Sequence, residues 1–172
     1  MRKIALVTLT AALSLTALAG TSATAAPAKA AAAPVACTSA TTKVTVKQVD
    51  RPLNHLLLTA KNTGTKTCYA YHAPYLRFDE AQSATYVLKD SQPQAVVTLK
   101  PGQSAYAGIG TSSPEGTDGR QAKKLGVLFS NRAANGGAGS MTHPKLPTGG
   151  VYVDSSAFVT YWQTSAADAL VW

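Results

Sequence analysis

The chain has 172 residues, of which 45% are hydrophobic and 14% charged, with 16 Lys and Arg against 8 Asp and Glu for a formal charge of +8. Its basic residues are scattered, and only Lys123 and Lys124 adjoin in the part after the leader. Nucleic-acid binders concentrate charge on one face or helix, so the balance reads as a solvated basic surface and no nucleic-acid partner is expected.

The amino terminus reads as a secretory signal peptide over residues 1–25. Arg2 and Lys3 form a basic start, Ile4 to Ala19 is predominantly apolar, and Ala23-Thr24-Ala25 fits the small-x-small cleavage pattern. An apolar run of about 16 residues is short for a membrane span, which needs about 20. No transmembrane span is expected after cleavage. Leu18-Ala19-Gly20 resembles the start of a lipoprotein box, but Thr21 stands where the lipidated cysteine would be. The expected location is secreted or extracellular, with loose cell-wall association. Removing Arg2 and Lys3 leaves 14 basic against 8 acidic residues, a net of +6. Residues 26–36, APAKAAAAPVA, are low in complexity and punctuated by Pro27 and Pro34, a flexible linker. A single domain is expected over 37–172, long enough to bury a core.

The only cysteines are Cys37 and Cys68. In an exported chain they read as one disulfide, with Cys37 before the first strand and Cys68 after the second. It closes a loop of about 32 residues, worth roughly 3–4 kcal/mol in the chain-entropy model. A catalytic thiol would need a neighbouring base and a reduced state.

Alternation of period two dominates the rest. In KVTVKQV, Val44 and Val46 share a face, and Val49 falls out of phase at a bulge or strand end. In HLLLTAKN, Leu56, Leu58 and Ala60 share a face, and Asn62-Thr63-Gly64 supplies a turn. YLRFD puts Leu76 and Phe78 inward; ATYVLKD and AVVTLK are further β-rich runs. Lys100-Pro101-Gly102-Gln103 carries the signature of a type II turn, with Pro at the second position and Gly at the third. SAYAGIG follows with Ala105, Ala107 and Ile109 on one face, small residues that imply close approach by an opposite sheet. SSPEGTDGR is a loop, KKLGVLFS a strand with Leu125, Val127 and Phe129 in phase, and 131–150 a long glycine-rich loop. GVYVD and AFVTYWQTS are the last strands, with Phe158, Thr160 and Trp162 in phase; the tail SAADALVW is the one helical candidate. The fold expected is all-β, an antiparallel β-sandwich of about seven to eight strands, with a closed barrel as the alternative.

Two motifs carry a resemblance. L-x-x-x-N-x-G-x-x-x-C occurs as Leu58, Asn62, Gly64 and Cys68; L-x-P-G-x-S-A-x-A occurs as Leu99, Pro101, Gly102, Ser104, Ala105 and Ala107. With Cys37 at the domain start, the chain resembles the domain-of-unknown-function 4232 family of secreted and lipid-anchored actinobacterial proteins over roughly Cys37 to Trp162. The resemblance implies an immunoglobulin-like sandwich and supplies no catalytic residues. The family pattern continues C-x-L-x-G-Y-P. Cys68 and Pro74 match it, whereas Ala70, His72 and Ala73 stand where Leu, Gly and Tyr are expected. A second cysteine pair, common in the family, is missing here.

No catalytic constellation is evident. His55, His72 and His143 sit in no nucleophile, metal or phosphate motif, and G-x-S-x-G is absent. Asp79-Glu80 would point to opposite faces of a strand. No catalytic residues, no metal and no cofactor are expected. The suggestive patch is CYAYHAPY, whose Tyr69, Tyr71, His72 and Tyr75 offer rigid amphipathic contact area. Loops 111–120 and 131–150 are further contact candidates. The expectation is a secreted, non-enzymatic interaction or envelope-associated module, its partner a protein or a cell-wall polymer. A protease inhibitor is the alternative, and a hydrolase the weakest reading.

Overall fold

The computed structural model describes residues 34–172. The expected leader and all but the end of the expected linker lie outside the described residues. Within them the strands are β1 (Thr42–Gln48), β2 (His55–Asn62), β3 (Cys68–Phe78), β4 (Tyr86–Val87), β5 (Val97–Leu99), β6 (Ser104–Gly110), β7 (Arg120–Ala122), β8 (Leu125–Ser130), β9 (Gly137–Thr142), β10 (Val151–Val153) and β11 (Phe158–Val159). A single 3₁₀ turn covers Lys89–Ser91, and a short helix α1 spans Ala166–Ala169 in the expected tail.

One sheet has the order β1-β2-β6-β11-β4 and the other β5-β3-β8-β9, while β7 and β10 form a separate ribbon. All pairings are antiparallel except β11 with β4. The inward positions of both sheets meet in one core, as a sandwich requires: Leu56, Leu58, Ala60, Ala105, Ala107 and Ile109 from the first, Leu76, Phe78, Leu99, Leu125, Val127 and Phe129 from the second. The alternation read from the sequence therefore locates the core correctly along β2, β3, β6 and β8.

Two details differ from the sequence reading. The segment 131–150 is not one loop: β9 pairs with β8 through Ser130–Gly137 and Phe129–Ala138. Its GAGSMT sequence shows no apolar alternation because it forms a half-exposed sheet edge. Glycine permits the close approach there, since a Cβ on Gly126 would strike the Met141 sulfur at 2.4 Å. Next, the last strand β11 is only two residues long, and its buried residue is Val159 rather than Phe158. The chain then leaves the ladder, and Thr160 and Trp162 are buried as irregular backbone. The helix α1 lies in the expected helical tail and makes a close approach to β6. A Cβ on Gly108 would lie 2.0 Å from the Ala169 carbonyl oxygen, so glycine lets the tail lie flat on the outer face. As expected, Cys68 comes after β2, where it opens β3, and Val49 lies just past the end of β1.

The Cys37–Cys68 disulfide is formed. It belongs to a wider seam, in which the Cys37 amide donates to the Tyr69 carbonyl and the Tyr69 amide to the Val35 carbonyl, each at 2.9 Å. The seam begins at Val35, two residues ahead of the expected domain start. Both sulfurs are buried in the core. The bond thus ties the entering chain to β3, in the sheet that does not contain β1.

Asn62 closes the same end of the sandwich. It is fully buried. Its amide Nδ2 donates to the carbonyls of Lys66 and Leu99, each at 2.9 Å, and its Oδ1 accepts the Gly64 amide at 2.9 Å. Its backbone amide donates to the Gln103 carbonyl and its carbonyl accepts the Gly102 amide, both at 2.8 Å. One side chain therefore shapes the 62–67 turn and locks it to the Lys100–Gln103 turn, where Gly102 takes φ +83°.

At the opposite end Asp154 holds the loops. Its Oδ1 accepts the Ser156 hydroxyl at 2.5 Å and the Ser156 amide at 2.9 Å, and its Oδ2 accepts the Ser113 amide at 3.3 Å. The Ser156 hydroxyl bond, opposed by burial and reinforced by the Ser156 and Ser113 amides, holds its carboxyl below the ordinary aspartate range. Gly116 lies against this carboxylate, where a Cβ would be 2.1 Å from Oδ2.

Two outcomes follow from these ends. Asn62→Ala orphans the buried Leu99 carbonyl, at about 1–3 kcal/mol, and removes the part-buried bonds to the Lys66 carbonyl and the Gly64 amide, so it should lower unfolding stability by about 2–4 kcal/mol in urea titration. For Asp154 the folded pKa lies below the unfolded one, so its stabilisation is complete above the ordinary aspartate pKa. It is lost as pH falls from there through the lower folded value. Asp154→Asn should flatten that part of the acid-unfolding curve while leaving the slope at neutral pH unchanged.

Candidate functional site

The residues 69–75 lie on β3, and β3 is interrupted there. Tyr71 pairs with Ser130 and Tyr75 with Leu128, so four steps on β3 face two on β8. The two extra residues form a bulge that keeps the inward parity of Leu76 and Phe78. His72 sits in it at φ +54°, the left-handed region. A non-glycine residue there costs about 1–2 kcal/mol, and this is the position where the resembled pattern carries glycine.

Three contacts hold the strained histidine. Its carbonyl accepts the Trp162 amide at 3.0 Å, which brings the segment after β11 against β3. Its Nε2 donates to the Arg132 carbonyl at 3.1 Å, fastening the β8–β9 turn. Its ring lies 6.2 Å from that of Tyr71. The Trp162 indole stacks on Phe129 at 5.4 Å and is fully buried. Trp162 is therefore a core residue, as its sequence context suggests, while Trp172 remains 41% exposed.

The four aromatic positions do not act alike. Tyr69 stacks on Tyr71 at 5.9 Å with an interplanar angle of 20°. Tyr71, however, is only 5% accessible, so it supports the surface from beneath. Tyr69, His72 and Tyr75 are half-buried and present part of their rings. The Tyr75 hydroxyl donates to the Ala134 carbonyl at 3.4 Å.

His72 divides two shallow cavities. One, of about 160 Å³, is walled by His72, Ala73, Tyr75, Val87, Lys89, Ser130, Ala134 and Tyr161. The other, of about 80 Å³, is walled by Ala70, His72, Gln92, Pro93, Ala95, Val96, Val97, Tyr161 and Trp162. Both share His72 and Tyr161, so together they make a trough between the edge of β3 and the 87–97 segment. Its walls are rings, aliphatic groups, the polar Gln92 and Ser130 and one cation, Lys89, with no carboxylate among them. Tyr161, Lys89 and Val96 were not legible as members of this site. Tyr161 reaches it through the Trp162–His72 backbone bond, a contact 90 positions apart in sequence for which no local pattern exists, and the segment of Lys89 is tied there by the Tyr161 amide, which donates to the Ser91 hydroxyl at 2.9 Å.

The other histidines do not join this site. His55 starts β2 and packs edge-on against Phe158, and His143 lies exposed beyond β9. Among the described residues no histidine bonds a carboxylate, and no three His, Cys, Asp or Glu side chains converge in a metal-binding arrangement. Asp79 instead accepts the amides of Lys123 and Lys124 at 2.9 Å each, and Glu80 pairs with Arg77 at 3.8 Å.

A family model described as Domain of unknown function (DUF4232) matches residues 37–163. No curated protein and no solved structure matches the chain. The match spans both turn motifs, the disulfide and the trough. His72→Gly should relieve the left-handed strain and leave stability equal or about 1 kcal/mol higher, read from the urea midpoint; a fall of that size would show that the imidazole contacts outweigh the strain.

Proposed function

The chain belongs to the domain-of-unknown-function 4232 family, and from that premise we propose that it is an exported, non-enzymatic binding module that docks an envelope polymer in the His72 trough. The observation that carries this reading is the strain at His72. A residue held at φ +54° in the middle of a strand is kept where surrounding structure over-determines it, and such positions cluster at functional sites. Here the strain delivers an imidazole to the one place where Tyr75, Tyr161 and Lys89 line a common trough.

The chemistry of the walls supports a polymer with flat, polar-edged units. Tyrosine rings offer an apolar face with a hydroxyl at the edge, and little side-chain freedom is lost on contact. Lys89 adds attraction to an acidic group on the same chain. The net charge of +6 expected after leader removal draws the domain toward an anionic surface without specifying a register. The disulfide agrees with an oxidising compartment. Export and cell-wall contact complete the proposal from the leader-like amino terminus.

The pairing of β9 with β8 takes residues 137–142 of the 131–150 segment into the sheet, which shortens the loop that a protease inhibitor would present. The hydrolase reading gains nothing from the scattered histidines.

Co-sedimentation of the secreted protein with purified cell wall at low and high salt tests the proposal. Retention at high salt, reduced about tenfold by a Tyr75→Ala/Tyr161→Ala double variant, is expected, in keeping with the loss of one or two ring contacts. Binding that vanishes with salt and ignores the variant would reduce the interaction to diffuse charge attraction and overturn the assignment to the trough.

A further inference from the structure

The turn between β8 and β9, residues 131–136, carries the one Asn-Gly pair of the sequence, Asn135-Gly136. We propose that this pair is a self-modification site: the Gly136 amide nitrogen attacks the side-chain amide of Asn135, Asn131 activates that amide as a hydrogen-bond donor, and the product resets the turn that walls the His72 trough. The chemistry does not depend on what the trough binds.

Both reacting groups are available. Asn135 is exposed. The Gly136 amide makes no hydrogen bond among the described residues, while its carbonyl accepts the Asn131 amide at 2.9 Å. Without a Cβ on the residue that follows, little obstructs the nitrogen as it closes onto the side chain. Asn62 is the opposite case. It is fully buried, its side-chain amide donates to two carbonyls, and the next amide, of Thr63, is engaged by the Thr41 carbonyl at 2.9 Å.

Asn131 supplies the activation. Its Oδ1 accepts the Asn135 backbone amide at 3.3 Å. A backbone amide only donates, so this branch of the side chain is the oxygen and the other is Nδ2, a donor. That Nδ2 donates to the Asn135 Oδ1 at 2.8 Å. The bond draws electron density from the carbon to be attacked and strengthens as the oxygen becomes an oxyanion. The Asn135 Nδ2, which must leave, has no partner among the described residues.

Water is the only co-reactant. The Gly136 nitrogen gives its proton to solvent base and bonds to the Asn135 Cγ. The Cγ–Nδ2 bond breaks, and the nitrogen leaves as ammonia with a proton from water. Water then opens the resulting succinimide. Opening at the side-chain carbonyl gives aspartate; opening at the backbone carbonyl gives isoaspartate, which adds a CH2 to the main chain. Either product puts a carboxylate at position 135. The turn transmits the change, because its Arg132 carbonyl accepts the His72 Nε2 at 3.1 Å and its Ala134 carbonyl accepts the Tyr75 hydroxyl at 3.4 Å. Ala134 shares a cavity wall with Lys89, so the new charge arises one residue from the wall that holds the trough's cation.

Incubation of the disulfide-bonded protein from mildly acidic to mildly alkaline pH, followed by peptide mapping, tests this. A mass gain of about 1 Da, the exchange of NH2 for OH, is expected at position 135 ahead of Asn54, Asn62 and Asn131. Its rate should rise with pH, because the attacking nitrogen must lose a proton, and the His72 and Tyr75 amide resonances should shift as it accumulates. Gly136→Ala should slow the gain about tenfold by crowding the nitrogen. The variant fits the turn, since a Cβ there meets only the Asn131 Nδ2, at 3.4 Å. Asn131→Asp keeps an acceptor for the Asn135 amide, loses the donor, and should slow the gain as well. A merely structural Asn131 would give the reverse, because a loosened turn closes more easily. The proposal is overturned by no gain at position 135 over a period in which an unstructured peptide of residues 130–139 is modified, by an unchanged rate in Gly136→Ala, by an equal or faster gain in Asn131→Asp, or by modification that leaves the His72 and Tyr75 resonances unmoved.

Discussion

The structure depends on one buried amide. Asn62 stands at the end of β2, fully enclosed, and donates to the Lys66 and Leu99 carbonyls while accepting from Gly64. Leu99 ends β5, in the opposite sheet from β2, so the Leu99 bond joins the two sheets directly. Cys68, which follows the turn that Asn62 shapes, then carries the disulfide to Cys37. The two turn motifs of the sequence are thus halves of one device. In water an isolated amide would gain little from these bonds. Inside a core the cost of leaving any of them unmade is what gives the arrangement its authority.

The rigid end frees the middle of β3 to be irregular. The bulge at 71–75 interrupts the β8 ladder, and His72 is kept left-handed by backbone bonds to Trp162 and through its ring to Arg132. A bulge in an unsupported hairpin would slip register. Here Cys68 and Leu99 fix the register on one side, and Leu76 and Phe78 fix it on the other through pairing with Val127 and Leu125. One wall of the trough is therefore a strand held in register, which limits the freedom lost when something binds there.

The two ends of the sandwich divide the work. One is sealed by sulfur, by Asn62 and by two tight turns. The other is made from the 49–54, 111–119 and 154–157 segments, gathered by the Asp154 carboxylate and by the Thr111–Asn54 bonds. Two buried side-chain nitrogens among the described residues have no partner in the protein, His55 Nε2 at the start of β2 and Trp162 Nε1 beside the trough.

The sequence by itself determined the inward faces of β2, β3, β6 and β8, the type II turn at Gly102, the pairing of its only two cysteines and the helical tail. Each of these is local: a period of two, a Pro-Gly pair, a count of two thiols, a Ser165 that caps its own helix. It also placed Tyr69, His72 and Tyr75 together, since neighbours on a strand stay neighbours. Only the tertiary structure decided that Tyr71 is buried, that β9 is an edge strand, that His72 adopts a left-handed backbone, and that Tyr161 and Lys89 complete the trough. These depend on which distant segment arrives beside β3 and β8, and a long-range approach is set by the packing of the whole core, not by any pattern within the segment that moves into place.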